Sequence, residues 1–440
     1  MMLEKSAALW NRADHVLAAG PATFSKHPQR FAANVTPCAL VSGEGCYVTD
    51  VDGNTYLDTI GALGPMILGY GNDQVDTAVM RQIRQGGGAF SLMHPLEVDV
   101  AEQLVAMIPC ADQVRFCLNG SDATNAAVRL AREITGKPHL FFCGYHGFMD
   151  SYICTTSMNA GTLPCLQEWN HQYAWGDWAT LDRDMDEYHE QGRGGVAALM
   201  LEVPPRPWGE SPDVMIRQLR ELQELCEVYN TLFILDEVVT GFRYHLGSAQ
   251  AAYGIIPDLA CIGKAMANGY PLAALVGRIQ HMEQIAYGGV FMSSTNGGNA
   301  LSLAAAQATL HVLQTTTALD DLHRAGNAIG NGLNALFLGY ELPVRLLGNA
   351  SRMIVQWQSL PNLPATALKT LWMQEMILEC VLVGGPLFPQ ACMTSTDVTT
   401  ILAAADAACD IISHAVKAES VVPFLHGHVV ESDVFANRYR

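Results

Sequence analysis

The sequence has few charged residues for its length and no pattern of paired cysteines. Charged side chains make up 15% of the 440 residues, and 25 lysines and arginines face 43 aspartates and glutamates, for a net charge of -18. This excess of negative charge argues against nucleic acid or an anionic membrane as a partner. The twelve cysteines show no CxxC spacing, which disfavours a disulfide framework or a zinc site and indicates reduced thiols in the cytoplasm.

The sequence also lacks long hydrophobic runs. No uninterrupted apolar run approaches the roughly 20 residues that cross a membrane. The N-terminal stretch MMLEKSAALWNRADHVLAA carries charges among apolar residues at helical spacing, unlike a signal peptide. We therefore expect a soluble protein. Half of the residues are hydrophobic, which suits a large core and a buried surface between subunits, and the length allows about two or three domains.

Two short apolar runs end in a side chain that can do chemistry. The run Leu232–Leu235 is followed at once by Asp236, and the run Leu259–Ile262 is followed after one glycine by Lys264. Such runs predict strands that are covered on both faces. Open α/β sheets bind their ligands beyond the carboxyl ends of the strands, so we expect the carboxylate and the amine to share one crevice.

Pyridoxal phosphate is a cofactor that needs both groups. Its aldehyde is held by an amine as a Schiff base, and its ring nitrogen needs an anionic partner to stay protonated. Lys264 and Asp236 are the candidates for these two roles. Each residue alone has a simpler interpretation, because a lone lysine is usually a solvated surface group and an acidic residue after a strand is often a turn or a helix cap.

Strand and helix patterns alternate through the middle of the chain. The predicted strands are Val114–Leu118, His139–Cys143, Val196–Val203, Leu232–Leu235, Leu259–Ile262 and Leu272–Val276. The predicted helices between them are Ala123–Ile134, Val214–Tyr229 and Asn299–Leu313. This alternation predicts a mostly parallel sheet with helices on both faces. Nearer the N-terminus, CYVTDVDGNTYLD predicts a β-hairpin that turns at Asp52-Gly53.

The sequence resembles the class III pyridoxal-phosphate-dependent aminotransferases, and among them the aminotransferases related to glutamate-1-semialdehyde aminomutase. The resemblance is carried by NGSDATNAAVRLAR, GYHGFMD, DEVVTGFR with GIIPDLACIGKAMANGYP, and STNGGNALS, in the family's order. It implies an α/β fold, the fold type I transferase, with a large domain on a mostly parallel seven-stranded sheet and a smaller α+β domain from both termini. We expect residues 1–60 and 319–440 in the small domain and residues 61–318 in the large, cofactor-binding domain.

The resemblance also implies a set of cofactor contacts. Gly120 and Ser121 match the pair that grips the phosphate. Tyr145 matches the aromatic ring that stacks on the cofactor, and Val238 matches the residue on the opposite ring face. Thr295 matches a threonine that reaches across a dimer interface to the phosphate of the neighbouring subunit, which implies a homodimer with a composite site. The alternative for Thr295 is a capped helix start within one chain.

Substrate contacts are expected at four positions. Ser25 and Lys26 lie in FSKHPQRF, which matches a substrate-facing region of the aminomutase relatives, although a solvated basic loop would have the same composition. Leu63 stands where the aminomutase has an aromatic residue. Glu202 matches the glutamate that ends a strand in relatives, but the position five residues later is Pro207, which can donate no hydrogen bond.

The resemblance implies an enzyme that moves an amino group from an amino-acid donor to a carbonyl acceptor by a ping-pong mechanism. The stretch LFPQACMTSTDV lacks the arginine of ornithine-type relatives and the glutamate of the aminomutase, which disfavours both specificities. An aminomutase or an amino-acid racemase on the same scaffold remains the alternative. A cofactor-binding protein without catalysis is a hypothesis of another class, and the intact Lys264 and Asp236 count against it.

Three histidines receive a structural interpretation. His146 follows an aromatic residue, a position where histidine is more often hydrogen-bonded for structure than catalytic. His426 and His428 suggest a metal, but two histidines without a third ligand are more often surface residues. We therefore expect no metal site.

Overall fold

A computed structural model describes residues 3–190, 192–286 and 289–430. Its helices are α1 (Glu4–Val16), α2 (Asp73–Arg84), α3 (Pro95–Met107), α4 (Gly120–Thr135), α5 (Asp150–Ile153), α6 (Trp178–Glu190), α7 (Pro212–Val228), α8 (Ser248–Tyr253), α9 (Ile279–Ala286), α10 (Ala300–Thr315), α11 (Ala318–Gly339), α12 (Ala365–Leu378) and α13 (Ser395–Lys417). Its strands are β1 (Leu40–Glu44), β2 (Tyr47–Asp50), β3 (Thr55–Asp58), β4 (Gln113–Cys117), β5 (His139–Cys143), β6 (Asn170–Gln172), β7 (Val196–Leu201), β8 (Leu232–Glu237), β9 (Leu259–Ile262), β10 (Ala273–Gly277), β11 (Val344–Asn349), β12 (Arg352–Trp357), β13 (Val381–Leu382) and β14 (Pro386–Leu387). The described residues form two compact units.

The second unit comprises Asp73–Pro204 and Ser211–Thr316 and is built on a seven-stranded sheet. The strand order is β4-β10-β9-β8-β7-β5-β6. Strands β9, β8, β7, β5 and β6 run parallel, and only β10 is antiparallel to its two neighbours in this sheet. The expected mostly parallel seven-stranded sheet is therefore confirmed. All residues of β5, β7, β8 and β9 are buried, as expected for strands that are covered on both faces.

Helix α4 packs on this sheet through small residues. Ala123, Ala127 and Ala131 are completely buried and recur every four residues, so they form one face of the helix. They share a core with apolar side chains of β9 and β10. Because alanine has no side chain beyond Cβ, the helix can lie close to the sheet, and its first turn lies near the ends of the strands.

The first unit comprises the described residues before Asp73, the short segment Pro205–Glu210, and the described residues from Thr317 on. It holds a four-stranded sheet, β1-β2-β3-β13, and a three-stranded sheet, β11-β12-β14. The expected smaller α+β part from both ends of the chain is thus confirmed. The chain changes units after residue 72, so residues 61–72 lie in the first unit; the domain boundaries drawn from the sequence stay a prediction. Residues 431–440 of the expected small domain lie outside the described residues.

The hairpin near the N-terminus holds the first helix. Strands β2 and β3 pair antiparallel around the turn that the sequence predicted. The Asp52 carboxylate at this turn accepts hydrogen bonds from the backbone N–H groups of Lys5, at 2.8 Å, and Ser6, at 2.9 Å. An acidic side chain at a helix N-terminus satisfies N–H groups that have no partner inside the helix. The turn residue therefore caps α1.

Helix α13 is long and apolar. Of the helices in the described residues, it alone is long and apolar enough to cross a membrane, judged by length and composition. Half of its most apolar stretch is buried inside the protein, and Ile401, Ala405 and Ile412 belong to the core of the first unit. A core helix of a globular protein has the same properties.

Candidate active site

The acid and the amine follow adjacent parallel strands of the second unit. Asp236 is the fifth residue of β8 and pairs in register with Cys261 of β9. Lys264 comes two residues after β9 ends. Neighbouring strands lie about 4.8 Å apart, so both side chains start from the same edge of the sheet. We expected this arrangement from the sequence, and the pairing of β8 with β9 places both residues at this edge.

The backbone at Lys264 is left-handed. Its φ is +45°, and it begins a short 3-10 helix, Lys264–Ala267, that ends at the left-handed Asn268. A left-handed residue other than glycine costs about 1–2 kcal/mol, and such residues concentrate at functional sites. Ala265, Met266 and Ala267 are buried and Lys264 is half-buried. The packed turn therefore holds the start of the lysine side chain in one direction.

Asp236 is buried and is held by two hydrogen bonds. Its Oδ2 lies 2.8 Å from Nδ1 of His146, and its Oδ1 accepts the backbone N–H of Val238 at 3.1 Å. The other ring nitrogen of His146, Nε2, lies 3.2 Å from the carbonyl oxygen of Cys143. The Asp236 carboxylate and the Cys143 carbonyl oxygen can each accept a hydrogen bond from the ring. The ring therefore holds the Asp236 side chain in place.

His146 is buried and hydrogen-bonded, as the sequence suggested. It is 2% exposed and directly contacts the expected anchor of the cofactor ring. The two residues are 90 positions apart in the chain, and their pairing depends on how β5 and β8 are arranged in the sheet. The available sequence signal was its position directly after Tyr145.

The first turn of α4 can bind an anion. Asn119 and Asp122 form a capping box, in which the Asn119 side chain accepts the N–H of Asp122 at 3.1 Å. Gly120 and Ser121 lie between them, at the positive end of a 16-residue helix, where backbone N–H groups and the helix dipole favour a phosphate. A Cβ at Gly120 would lie 2.8 Å from Cγ1 of Val238. Glycine is therefore required for this close approach.

Tyr145 and Val238 offer two walls for a flat ring. Both are partly buried and pack against the core that contains parts of α4, β8 and β9. The Tyr145 ring meets that of Tyr152 edge-on, at 5.7 Å and 88°, which restrains its tilt. Gly120 places Val238 beside the anion-binding turn. An acid, an amine, a phosphate turn and two apolar walls together fit the requirements of pyridoxal phosphate.

Glu202 lies near the His146 turn. It follows β7, is 3% exposed, and donates its backbone N–H to the carbonyl of Cys143 at 3.0 Å. A Cβ at Gly144 would lie 2.9 Å from Cβ of Glu202. The structure thus brings Glu202 into the neighbourhood of His146, while its contact with a substrate stays a prediction. Pro207 lies in the first unit and bridges to Leu347 there.

Glu237 is a buried acid that the sequence reasoning missed. It neighbours Asp236 on β8, so its side chain points to the opposite face of the sheet. Its carboxylate accepts hydrogen bonds from the backbone N–H of Ala249, at 2.5 Å, and from Nε2 of Gln250, at 2.8 Å. Burial nevertheless raises the pKa of Glu237 to about 7. It ties β8 to α8 and is a titrating group close to the site.

Thr295 is exposed and lies in the segment before α10. The helix is capped by another residue, because the Asn299 side chain accepts the N–H of Leu301 at 3.0 Å. The cap of this helix start is therefore Asn299 and not Thr295. Its contact with a neighbouring subunit stays a prediction.

The remaining substrate candidates belong to the first unit. Ser25 and Lys26 are exposed on the 3-10 helix Phe24–Lys26. Leu63 lies in a turn of left-handed residues, with φ of +73°. Burial raises the pKa of Asp58, which begins this turn, and the charge of Lys26 acts in the opposite direction. The charge of Lys26 thus reaches Asp58, and contact of Lys26 and Leu63 with a substrate stays a prediction.

Comparison with known proteins places the chain among pyridoxal-phosphate enzymes. The family model for aminotransferase class-III matches residues 30–353. The 3-aminobutyryl-CoA aminotransferase of Cloacimonas acidaminovorans (strain Evry) is 34% identical over 349 residues, which cover 79% of this chain and 82% of that protein. The glutamate-1-semialdehyde 2,1-aminomutase of Chloroherpeton thalassium (strain ATCC 35110 / GB-78) is 34% identical over 361 residues, with the same two coverages.

A solved structure with the same fold extends over nearly the whole chain. The FumI protein of Sphingopyxis sp. MTA144, solved in a pyridoxal-phosphate form, superposes with a TM-score of 0.84 and 27% identity. The match covers 96% of this chain and 100% of that one. The similarity therefore includes both units.

Proposed function

The chain belongs to the class III aminotransferase family, and on that premise we propose that it moves an amino group from an amino-acid donor to an aldehyde, ketone or keto-sugar acceptor by a ping-pong mechanism. The enzyme uses pyridoxal phosphate, as its family and its solved relatives do. The observation that carries the proposal is the placement of Asp236 and Lys264 after adjacent parallel strands, with His146 beside the acid.

Each proposed catalytic residue acts on a defined atom. When bound, pyridoxal phosphate supplies a reactive aldehyde and an electron-accepting ring. Lys264 would hold the aldehyde carbon through its Nζ, and the same nitrogen would move a proton as general base and acid. Asp236 would keep a proton on the ring nitrogen, and His146 holds the Asp236 carboxylate in place through the contact at 2.8 Å.

The other proposed contacts fix the cofactor's position. The backbone of Gly120 and Ser121 binds the phosphate at the N-terminus of α4. Tyr145 and Val238 cover the two ring faces and keep water away. Their support is the shared core against which both pack and the close approach of Val238 to Gly120.

A change of Lys264 to alanine tests the central assignment. The purified variant should lose the visible absorbance of the lysine-bound cofactor and all amino transfer, because alanine cannot hold the aldehyde. Lys264→Arg is the matched control that keeps the positive charge without an amine that can react in the same way. An unchanged visible spectrum in Lys264→Ala would disprove the role of this lysine.

Because one relative is an aminomutase, the second candidate function is an intramolecular transfer of the amino group. The two are separated by incubating the enzyme with an isotopically labelled amino donor and a panel of keto acids, aldehydes and oxidised sugars. Label in a second molecule supports the aminotransferase. Label that stays within one molecule supports the aminomutase, and inversion of the donor supports a racemase. A bound cofactor whose spectrum responds to no donor would favour a protein without catalysis.

We also propose substrate contacts at Ser25, Lys26, Leu63 and Glu202. The support is their match to substrate-facing positions of relatives and the effect of the Lys26 charge on Asp58. Substituting each residue in turn should change KM or the preferred acceptor while leaving the visible spectrum of the cofactor intact. A loss of cofactor instead would reassign the residue.

A homodimer with a composite site is the proposed assembly, in the cytoplasm. Its support is the exposed Thr295 and a group of exposed apolar side chains in the second unit, with Leu92 85%, Met93 68% and Phe291 72% exposed. Apolar surface of this kind marks protein interfaces. All twelve cysteines are free thiols, as is usual in a reducing compartment.

Subunit mixing tests whether Thr295 acts across the interface. Thr295→Ala and Lys264→Ala chains are unfolded together and refolded as a mixture. If Thr295 serves the neighbouring subunit, each mixed dimer has one site with both residues intact, and activity rises above that of either variant. If the threonine serves its own chain, mixing restores nothing.

A further inference from the structure

Two cysteines from opposite ends of the chain meet in the first unit. Cys46 directly precedes β2, and Cys392 lies between β14 and α13. Both contact the same hydrophobic core, and their thiols are hydrogen-bonded to each other. A Cβ at Gly69 would lie 2.5 Å from Sγ of Cys392 and 2.9 Å from the carbonyl oxygen of Gly45. The Cys392 sulfur therefore occupies the space left by the missing side chain of Gly69, next to Gly45, the residue before Cys46.

The two thiols differ in reactivity. Cys392 is half-buried, and the hydrogen bond from Cys46 lowers its pKa, although burial acts the other way. It also lies two residues before Thr394, the N-cap of the 23-residue α13, where the helix dipole favours a thiolate. Cys46 is 2% exposed, and its hydrogen bond to Cys392 and its burial raise its pKa. Cys392 is therefore the more easily ionised and more accessible thiol, and Cys46 is its buried partner.

We propose that Cys46 and Cys392 form a reversible disulfide when the enzyme meets a hydroperoxide. The Cys392 thiolate attacks one oxygen of hydrogen peroxide and becomes a sulfenic acid, and the hydroxide that leaves takes up a proton to give water. The Cys46 sulfur then attacks the Cys392 sulfur, and its proton leaves with the sulfenic hydroxyl as a second water. The two thiols lose two electrons in total, and one peroxide is reduced to two waters.

The surroundings tolerate the loss of the Cys46 proton. Cys46 is also hydrogen-bonded to Asp397, a contact that a disulfide removes. Asp397 keeps hydrogen bonds from the Tyr47 hydroxyl, at 2.5 Å, and from the N–H and hydroxyl of Thr394, both at 2.7 Å. The capping box of α13 therefore stays intact, and the new bond ties the N-terminal hairpin to the start of the last helix.

Other cysteines lack this combination of proximity and access. Cys110 and Cys261 are charge-coupled neighbours, but they are 2% and 0% exposed. Cys165 and Cys380 are exposed but lie on different units, after β5 and after α12. Substituting either of these two should not affect the proposed link, which makes them suitable controls.

The experiment treats the full-length holoenzyme with a small excess of hydrogen peroxide. After denaturation the free thiols should fall from twelve to ten per chain, and dithiothreitol should restore them. A non-reducing gel should show a faster monomer band, because the link closes a loop over most of the chain. Peptide mapping should find the peptides of Cys46 and Cys392 joined, with the loss of two hydrogens.

Four variants complete the test. Cys46→Ser and Cys392→Ser should each abolish the faster band, whereas Cys165→Ser and Cys380→Ser should leave it unchanged. Peptide mapping of the natural sequence decides the question even if one variant folds poorly. The proposal is overturned if twelve thiols remain, if the lost thiols are other cysteines, or if Cys392 is oxidised to a sulfinic acid with Cys46 still free.

Discussion

Replacing His146 with leucine should destabilise the protein strongly, although the position is buried and leucine is apolar. The ring Nδ1 lies 2.8 Å from the buried carboxylate of Asp236, and Nε2 lies 3.2 Å from the Cys143 carbonyl oxygen. His146→Leu removes both contacts and leaves Asp236 with one of the two hydrogen bonds described above. Leaving a buried acceptor without its hydrogen-bond partner costs about 1–3 kcal/mol, and more for a charged group.

Asparagine at the same position tests the hydrogen bond to Asp236 apart from the bulk of the imidazole ring. Its side-chain nitrogen occupies nearly the place of the ring Nδ1, so His146→Asn keeps a neutral donor to Asp236. A hydrogen bond to a charged group contributes about 1.5–3 kcal/mol, and this part of the loss should be recovered. His139→Leu is the matched control, because His139 is also buried, at 5% exposed, but its ring contacts His171 and a backbone carbonyl, both uncharged.

The assay is urea unfolding of the cofactor-free chain, followed by circular dichroism at pH 7. The expected order of stability is the natural sequence, then His146→Asn, then His146→Leu, with His139→Leu above His146→Leu. If His146→Leu loses no more stability than His146→Asn and His139→Leu, Asp236 does not depend on a hydrogen bond from the ring. The same result would remove His146 from the proposed support of the cofactor.

Three further predictions concern the same unit. Gly120→Ala should weaken cofactor binding about tenfold or more, because its Cβ would lie 2.8 Å from Val238 and overpacking costs about 1–3 kcal/mol. Val238→Ala in the same chain relieves this overlap but removes one proposed ring contact, so it should restore folding stability and not cofactor binding. A failure to restore stability would point to backbone strain instead. Burial raises the pKa of Glu237 from 4.5 to about 7, so the folded chain holds more protons than the unfolded chain between these two pH values. The free energy of unfolding should therefore fall as pH rises from 4.5 to 7, by at most about 3 kcal/mol. Urea titrations of Glu237→Gln should show a flatter dependence of stability on pH. Burial and the neighbouring His139 lower the pKa of His171 from 6.5 to about 4, so the unfolded chain holds more protons than the folded chain between these two pH values. Stability should therefore fall as pH drops from 6.5 to 4. His171→Gln should reduce this loss of stability, and an equally steep loss in the variant would assign the acid sensitivity to other groups.

The strands of the second unit were predictable because burial on both faces leaves a local signature. Leu259–Ile262 and His139–Cys143 read as short apolar runs, and β9 and β5 have the same bounds as the predictions. Helix α6 and the edge strand β6 were not predicted. Both are rich in polar residues, and their place is set by packing at the sheet's edge more than by their own periodicity.

The candidate site was predictable where a residue's chemistry and its position at a strand or helix end coincide. Asp236, Lys264 and Gly120 are of this kind, because the end of an apolar run or the start of a helical pattern can be read locally. The opposite orientation of Glu237 and its pairing with Gln250 could not be read in this way, since a carboxylate beside a carboxylate in the sequence does not say which of the two meets the ligand.

The sequence by itself determined the kinds of chemistry and their order along the chain: an anion-binding helix start, an aromatic wall, an acid after one buried strand and an amine after the next. The acid and the amine follow from neighbours within a few residues, and the resemblance to the family implies the other two. Only the tertiary structure decided which distant groups meet, such as His146 with Asp236 and Cys46 with Cys392. The physical reason is that these contacts depend on the order of strands in a sheet and on the packing of both chain ends into one core, which no local pattern encodes.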